Sequence, residues 1–310
     1  MKNVVIGDGL KNLNGFSFDE NLESITIGNS VASISSYAFA YCTNLARTNY
    51  TGTIEQWAEI EFSGEKSNPI YQSKKLYIND KLVTEVNLTR ATKVSNYAFY
   101  NCINLARVEM SDNFTSDVSI GKYAFYNCTG LENVVIGNNV ISIDSYAFGK
   151  CTNLAGIIIP DSVTSVGDHV FSGCTSLKNA VIGNNVTSMG NGTFVNCINL
   201  ENVKIGESVT KIGSYAFYNC INLAKIIIPD SVISMGDNTF CNCTSLENAI
   251  IGNGVTSIEQ GVFDKCTSLK SVTIGNSVTS IDNPFYYCSS INKINYTGTI
   301  DQWAEIEFCG

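Results

Sequence analysis

No apolar run in this chain of 310 residues approaches the roughly 18 that a membrane-spanning helix needs, so no direct membrane insertion is expected. Basic residues are scarce too: 19 Lys and Arg stand against 28 Asp and Glu, for a formal charge of −9. Nucleic acid or an anionic membrane would need a basic stripe to neutralise phosphates, and the scattered cations form none. There is one histidine, His169, with no accompanying acid and nucleophile pattern, which argues against Ser-His-Asp or Cys-His catalysis. No glycine-rich phosphate cradle is present, because the many Ile-Gly-Asn turns recur as punctuation. The start, "MKNVVIGDGL", lacks the long apolar core of a signal peptide. These absences lead to the expectation of a chain that is not an enzyme and takes no cofactor or metal.

What is present is a phrase rewritten every 23 residues. The pattern Phe-x-x-Cys-x-x-Leu runs through Phe39-Cys42-Leu45, Phe99-Cys102-Leu105 and Phe125-Cys128-Leu131, then on to Phe263-Cys266-Leu269. From Phe125 to Phe263 the spacing is 23 without exception, and worn copies begin at Phe16 and Phe285. A fixed period in this range marks a solenoid of stacked coils, each burying an apolar face that only its neighbours can cover. Within one coil, "LENVVIG" (131–137) alternates as a half-buried strand, with Val134 and Ile136 inward and Val135 outward. Gly137, Pro160, Gly183, Gly206, Pro229, Gly252 and Gly275 end these strands. A second apolar pair follows, such as Val140 and Ile143. The Tyr-Ala-Phe segment then makes a helical or 3-10 turn on the outer side, its Phe filling the interior.

The stretch "IPDSVTSVGDHVFSGCTSL" (159–177) resembles the BspA-like, or Treponema pallidum type, leucine-rich repeats, and the resemblance covers nearly the whole chain. It implies an α/β solenoid, mostly β: a curved array of about 11–13 coils with a parallel strand ladder on the concave face and short helical or 3-10 turns outside. It also implies a bacterial or protist surface or secreted protein used in adhesion or host contact. The missing export signal is a departure from that pattern.

The whole of 1–310 reads as a single array. Segments 154–189 and 223–258 align three coils apart, as block duplication produces. Residues 46–93 interrupt the period as an insertion: a short helix capped by Thr53 and carrying Ile54, Trp57 and Ile60, then a β-hairpin over 75–86 turning near Asn79-Asp80. Residues 296–310 partly copy the start of that insertion, and Trp303 with Ile300 and Ile306 is a candidate C-terminal cap. Bare solenoid ends expose core and unpaired edges, so both a monomer and end-to-end self-association stay open.

Ten of the twelve cysteines occupy the repeated slot or its worn copies and read as buried packing thiols, with inter-coil disulfides as the alternative. Cys241 and Cys309 fall outside the slot and are the expected exposed thiols. His169 stands where other coils carry Tyr37, Tyr97, Tyr123, Tyr146 and Tyr215. The candidate partner-binding surface is the outward slot of the strands: Val135, Ile158, Val181, Lys204, Ile227, Ile250 and Thr273. A second candidate is an outer tyrosine row: Tyr37, Tyr100, Tyr126, Tyr146, Tyr215, Tyr218 and Tyr286. The expected function is that of an interaction protein holding a protein or glycan partner; the alternative is a structural array that stacks into a stalk.

Overall fold

The computed structural model describes residues 1–112 and 117–309, and divides into two compact units, Met1–Asn153 and Leu154–Gly310. Each unit is a β-solenoid whose coil has three walls: a strand of three or four residues, a shorter second strand, and a wall of turns. In the first unit the strands Asn3–Ile6, Ser24–Ile27, Arg47–Tyr50 and Leu76–Ile78 pair in parallel, one coil to the next. A second parallel group joins Glu85–Leu88, Arg107–Met110 and Asn133–Val135. The second unit stacks Gly156–Ile158, Asn179–Val181 and Asn202–Lys204, then Lys225–Ile228, Asn248–Ile251, Ser271–Ile274 and Lys293–Tyr296. Parallel pairing in register follows from the repeat, because each strand meets a near-copy of itself and a one-residue slip would turn the buried Ile and Val outward.

The interior is a column of rings. Phe99, Phe125 and Phe148 are fully buried and stack with centroids 5.1 and 5.2 Å apart, nearly parallel. In the second unit the column runs Phe171, Phe194, Phe217, Phe240, Phe263 and Phe285, at 5.2–5.7 Å. Each stacked pair contributes about 0.5–1.5 kcal/mol beyond the area it buries.

The expected helical turns of the third wall take the form of single turns that do not propagate. Ala98 N–H bonds Ser95 C=O and Tyr100 N–H bonds Tyr97 C=O, each three residues back. Between them Tyr97, Phe99 and Asn101 donate to Lys122, Ala124 and Tyr126 of the next coil at 2.8, 2.7 and 3.0 Å for Asn101, Phe99 and Tyr97. Two residues per coil are left-handed here: Tyr97 and Asn101 at φ 62° and 64°, Tyr215 and Asn219 at 59° and 60°. Asn, the commonest non-glycine residue to tolerate this region, recurs before the cysteine for that reason. His169 fills the same slot as Tyr97, at φ 55°. Gly192 follows it one coil on, where a Cβ would stand 2.4 Å from the imidazole.

Among the described residues, helix is confined to the insertion and its partial copy. Helix α1, Ile54–Glu59, starts with a capping box: Thr53 Oγ1 accepts from Gln56 N–H, and Gln56 Oε1 accepts from Thr53 N–H. Its Trp57 is fully buried and donates Nε1–H to Ala98 C=O at 2.8 Å. Glu61–Phe62 rejoins the second-strand wall by pairing with Ser33–Ile34, and α2, Ile70–Ser73, leads into Leu76–Ile78. The hairpin turns at Asn79-Asp80, both left-handed, but its return strand is only Lys81–Leu82. Glu85 and Val86, expected in that hairpin, belong instead to the strand Glu85–Leu88, which pairs in parallel with the next coil, since Val86 and Leu88 lie in the buried wall. The last helix, α3, Ile300–Ala304, repeats the capping box with Thr299 and Gln302.

Candidate functional site

The repeat sets which side chains face solvent together. In the second unit Ile158, Val181 and Lys204 lie opposite one another on successive strands, and so do Ile227, Ile250 and Thr273. Ile158 is 65 % exposed, Ile227 50 % and Ile250 37 %. Val135, in the first unit, is exposed but stands beside Glu109, in a polar row. Next to the apolar row runs a polar one, in which Asn202 donates to the Asn179 side chain at 2.9 Å and Ser271 to that of Asn248 at 2.7 Å. Six of the seven candidate residues thus share one face of the second unit.

That face is interrupted at one step. Among the described residues no backbone hydrogen bond joins Asn202–Lys204 to Lys225–Ile228, and the two strands belong to separate sheets. Lys204 and Lys225 stand diagonally across the step, where like charges oppose pairing. Val203, in a slot that buries Ala180 and Ile226, is half-buried as a result. The opening is a groove of about 600 Å³ lined by Val203, Lys204, Lys225, Ile227 and Ile250 together with the carboxylates Glu201, Glu207 and Asp230. Sequence reasoning named Lys204, Ile227 and Ile250 as candidates and placed Lys225 in the charged slots flanking them, but did not foresee the break between the two strands. A lysine on each of two successive strands was the signal.

The tyrosine candidates behave differently. In the first unit Tyr97, Tyr123 and Tyr146 stack at 5.3 and 4.7 Å, and Tyr100 stacks on Tyr126 at 5.3 Å, so their faces are spent on one another. Tyr100 donates its hydroxyl to Glu65 at 3.0 Å. Burial and that carboxylate push its phenol well above the usual range. Tyr37, Tyr215 and Tyr286 are exposed, and Tyr218 is half-buried against Tyr215.

The cysteine slot has a chemical role of its own. Cys128, Cys197, Cys220, Cys243 and Cys266 donate S–H to the carbonyl of the Phe one coil earlier, at 3.1–3.2 Å. That carbonyl already accepts the N–H of its own coil's cysteine, so the thiol satisfies its second lone pair. Burial raises these thiols: Cys102 and Cys243 to about 12, Cys288 to about 11. Cys309 is exposed, whereas Cys241, expected to be exposed, is buried: its coil lies within the stack, and Asn219 N–H of the preceding coil bonds its carbonyl at 2.9 Å. Among the described residues no group of three or more His, Cys, Asp or Glu is placed to hold a metal ion. The insertion carries a shallow concavity of about 400 Å³ beside Tyr50, Gln56, Glu59 and Lys93, but Trp57 lies sealed beneath it and Lys93 is paired with Glu61.

Comparison with known proteins agrees with this geometry. The BspA type leucine rich repeat region, as a six-copy family model, matches residues 1–92, 92–224 and 188–310. A leucine rich cell surface protein from Faecalibacterium prausnitzii superposes with a TM-score of 0.51 at 22 % identity, over 99 % of this chain and 90 % of its own. The Treponema pallidum leucine rich repeat protein is 31 % identical over 55 % of this chain and 74 % of its own, with a TM-score of 0.43. A leucine-rich repeat protein from Bacteroides ovatus is 20 % identical over 95 % of this chain and 92 % of its own, at 0.49. No curated protein matches the chain in sequence.

Proposed function

The chain belongs to the BspA-type leucine-rich repeat family, and from that premise we propose that it is a non-enzymatic interaction protein, displayed or secreted at a cell surface, that holds a protein or glycan partner on the strand face of its second unit. The observation that carries this reading is the pair of exposed residues Ile227 and Ile250, which line a groove rather than lying scattered, with Ile158 exposed on the same face. Exposed apolar side chains gathered around a concavity and edged by charge are what a docking surface presents. The description of the Faecalibacterium prausnitzii relative as a cell surface protein supports the location.

The test is binding of the purified chain to an array of extracellular-matrix proteins and glycans, repeated with Ile227→Glu. A partner bound by the wild type and lost in the variant, with melting unchanged, supports the reading. A partner bound equally by both places the site elsewhere. A chain that binds nothing but gains mass without limit as its concentration rises is a structural array.

A further inference from the structure

The third wall of the first unit carries two rows of tyrosines, and one row is a ring short. In the first, Tyr97, Tyr123 and Tyr146 follow one another at 5.3 and 4.7 Å; in the second, Tyr71, Tyr100 and Tyr126 follow at 6.1 and 5.3 Å. Tyr71 comes from the insertion, which thus gives a ring to the second row but none to the first. Phe39 N–H bonds Lys66 C=O at 3.0 Å, as Phe16 N–H bonds Ala38 C=O at 2.6 Å, so Lys66 holds the Ala position of its coil and Glu65 the Tyr position. The coil before it carries Tyr37 there, with the same left-handed backbone as Tyr97, φ 60° against 62°. Two coil steps therefore separate Tyr37 from Tyr97, about 10 Å at the usual strand spacing. A cavity of about 230 Å³ opens between them. Tyr37 is 63 % exposed, whereas Tyr97, Tyr123 and Tyr146 are half-buried.

The walls and the rim of this slot differ in kind. Its walls are phenol rings, whose negative faces attract C–H groups. Its rim is polar: the Glu65 carboxylate, the Lys66 ammonium and the hydroxyls of Ser36 and Ser63. Glu65 accepts the Tyr100 hydroxyl on one oxygen at 3.0 Å, and among the described residues its other oxygen accepts nothing. Lys66 Nζ stands beside the Tyr37 ring, 5.9 Å from its centre. A phenyl ring between the tyrosines would cover these rim groups without pairing them, which is costly. One carboxylate and one ammonium balance, so neither a cation nor an anion is favoured. A neutral pyranose meets both demands, with C–H faces for the rings and hydroxyls around its edge for Glu65, Lys66 and the serines. The cavity is smaller than the roughly 300 Å³ at which drug-sized sites begin, which suits one such ring. We infer that the slot between Tyr37 and Tyr97 is a subsite for one neutral sugar ring of a glycan. It belongs to the first unit and the strand-face groove to the second, and its occupancy does not rest on the groove.

The experiment is saturation-transfer NMR with isothermal titration, using cellotriose and a galactotriose. Proteins are the wild type, Tyr37→Ala, Tyr37→Phe and Glu65→Tyr, each with its melting temperature checked. Glu65→Tyr supplies the side chain that this position carries in neighbouring coils, so it closes the slot within the grammar of the repeat. The expected result is millimolar binding of at least one trisaccharide to the wild type, with saturation strongest on the C–H protons of one ring. Tyr37→Phe keeps the ring and should bind within about threefold of the wild type, Tyr37→Ala at least about tenfold more weakly, and Glu65→Tyr not measurably. N-acetyltyrosinamide, standing for a partner's aromatic side chain, should bind at least about tenfold more weakly than the better trisaccharide. Failure of both trisaccharides to bind, binding that survives Tyr37→Ala or Glu65→Tyr, or an amide that binds as tightly overturns the inference.

Discussion

Segments 50–64 and 296–310 differ at two positions, Glu55 against Asp301 and Ser63 against Cys309, yet their surroundings are opposite. Locally they agree. Both helices carry the same capping box with bonds of 2.9 and 3.2 Å. Tyr50 meets Trp57 edge-on at 5.4 Å, as Tyr296 meets Trp303 at 5.3 Å. The difference lies in what covers them. Over the first copy, Ala98 accepts the Trp57 N–H, Ser95 N–H bonds Ala58 C=O at 2.8 Å, and Thr92 bonds Glu59 through both N–H and hydroxyl. Over the second, no described segment does the same. Trp303 is half-buried, Ile300 is 84 % exposed and Phe308 61 %. Local sequence sets the shape of the module, and the following coil sets its burial, as expected where stability is a sum over neighbours.

The largest effect that sharpens this contrast between interior and edge is collective. Unfolded thiols ionise near 9.0, whereas the interior ones stay protonated to higher pH, as with Cys102 and Cys243 at about 12. Above pH 9 the unfolded state therefore binds fewer protons. Stability is fully present below that pH and falls as it rises, by about 1.4 kcal/mol per pH unit for each such thiol, until the folded values are reached. Denaturant titrations between pH 8 and pH 11, in the range set by these pKa values, should show the loss; a flat profile would mean the thiols are not held in the interior.

Truncating the two tryptophans comes next. Trp57→Ala is expected to cost about 3–5 kcal/mol, since it leaves a cavity and removes one of the two donors to the Ala98 carbonyl, Asn68 Nδ2 remaining at 3.0 Å. Trp303→Ala should cost at most about half as much, and equal losses in urea unfolding would show that the second copy is covered in solution. Thr53→Ala and Thr299→Ala should each cost about 1 kcal/mol, the same at both copies, because the cap is local. The smallest effect is expected for Ile300→Ser, within about 0.5 kcal/mol of the wild type. In the native protein a thiol reagent should label Cys309 first and the buried ladder only on unfolding; rapid labelling of several cysteines would contradict the packing.

Much of this was legible in the sequence because repetition averages out noise. Nine well-formed copies of Phe-x-x-Cys-x-x-Leu name the ring column and the thiol slot, and strand alternation separates Ile227 from its buried neighbours Ile226 and Ile228. The groove was not legible, because it depends on two neighbouring strands that fail to pair although their repeat sequences are close copies of strands that do. Burial of Cys241 was misjudged because its slot elsewhere holds Tyr100, Tyr126 and Tyr218, none of which hints at a covered thiol. The pairing of Glu85–Leu88 was missed because alternation suits a hairpin arm and a coil strand equally well.

The third wall carries one more consequence. In both units the inter-coil bonds of its Phe slot run one way: Phe99 N–H to Ala124, Phe125 to Ala147, Phe171 to Thr193, Phe194 to Ala216, Phe217 to Thr239. Every such N–H points toward the following coil and every accepting C=O toward the preceding one, so the peptide dipoles align and add as they do along a helix. The sense is the reverse of a helix, with the positive pole on the C-terminal side. A stack of these coils is thus electrically polar along its axis, and a further coil docks by matching donors to carbonyls head to tail, while two like ends meet donor to donor or carbonyl to carbonyl and repel.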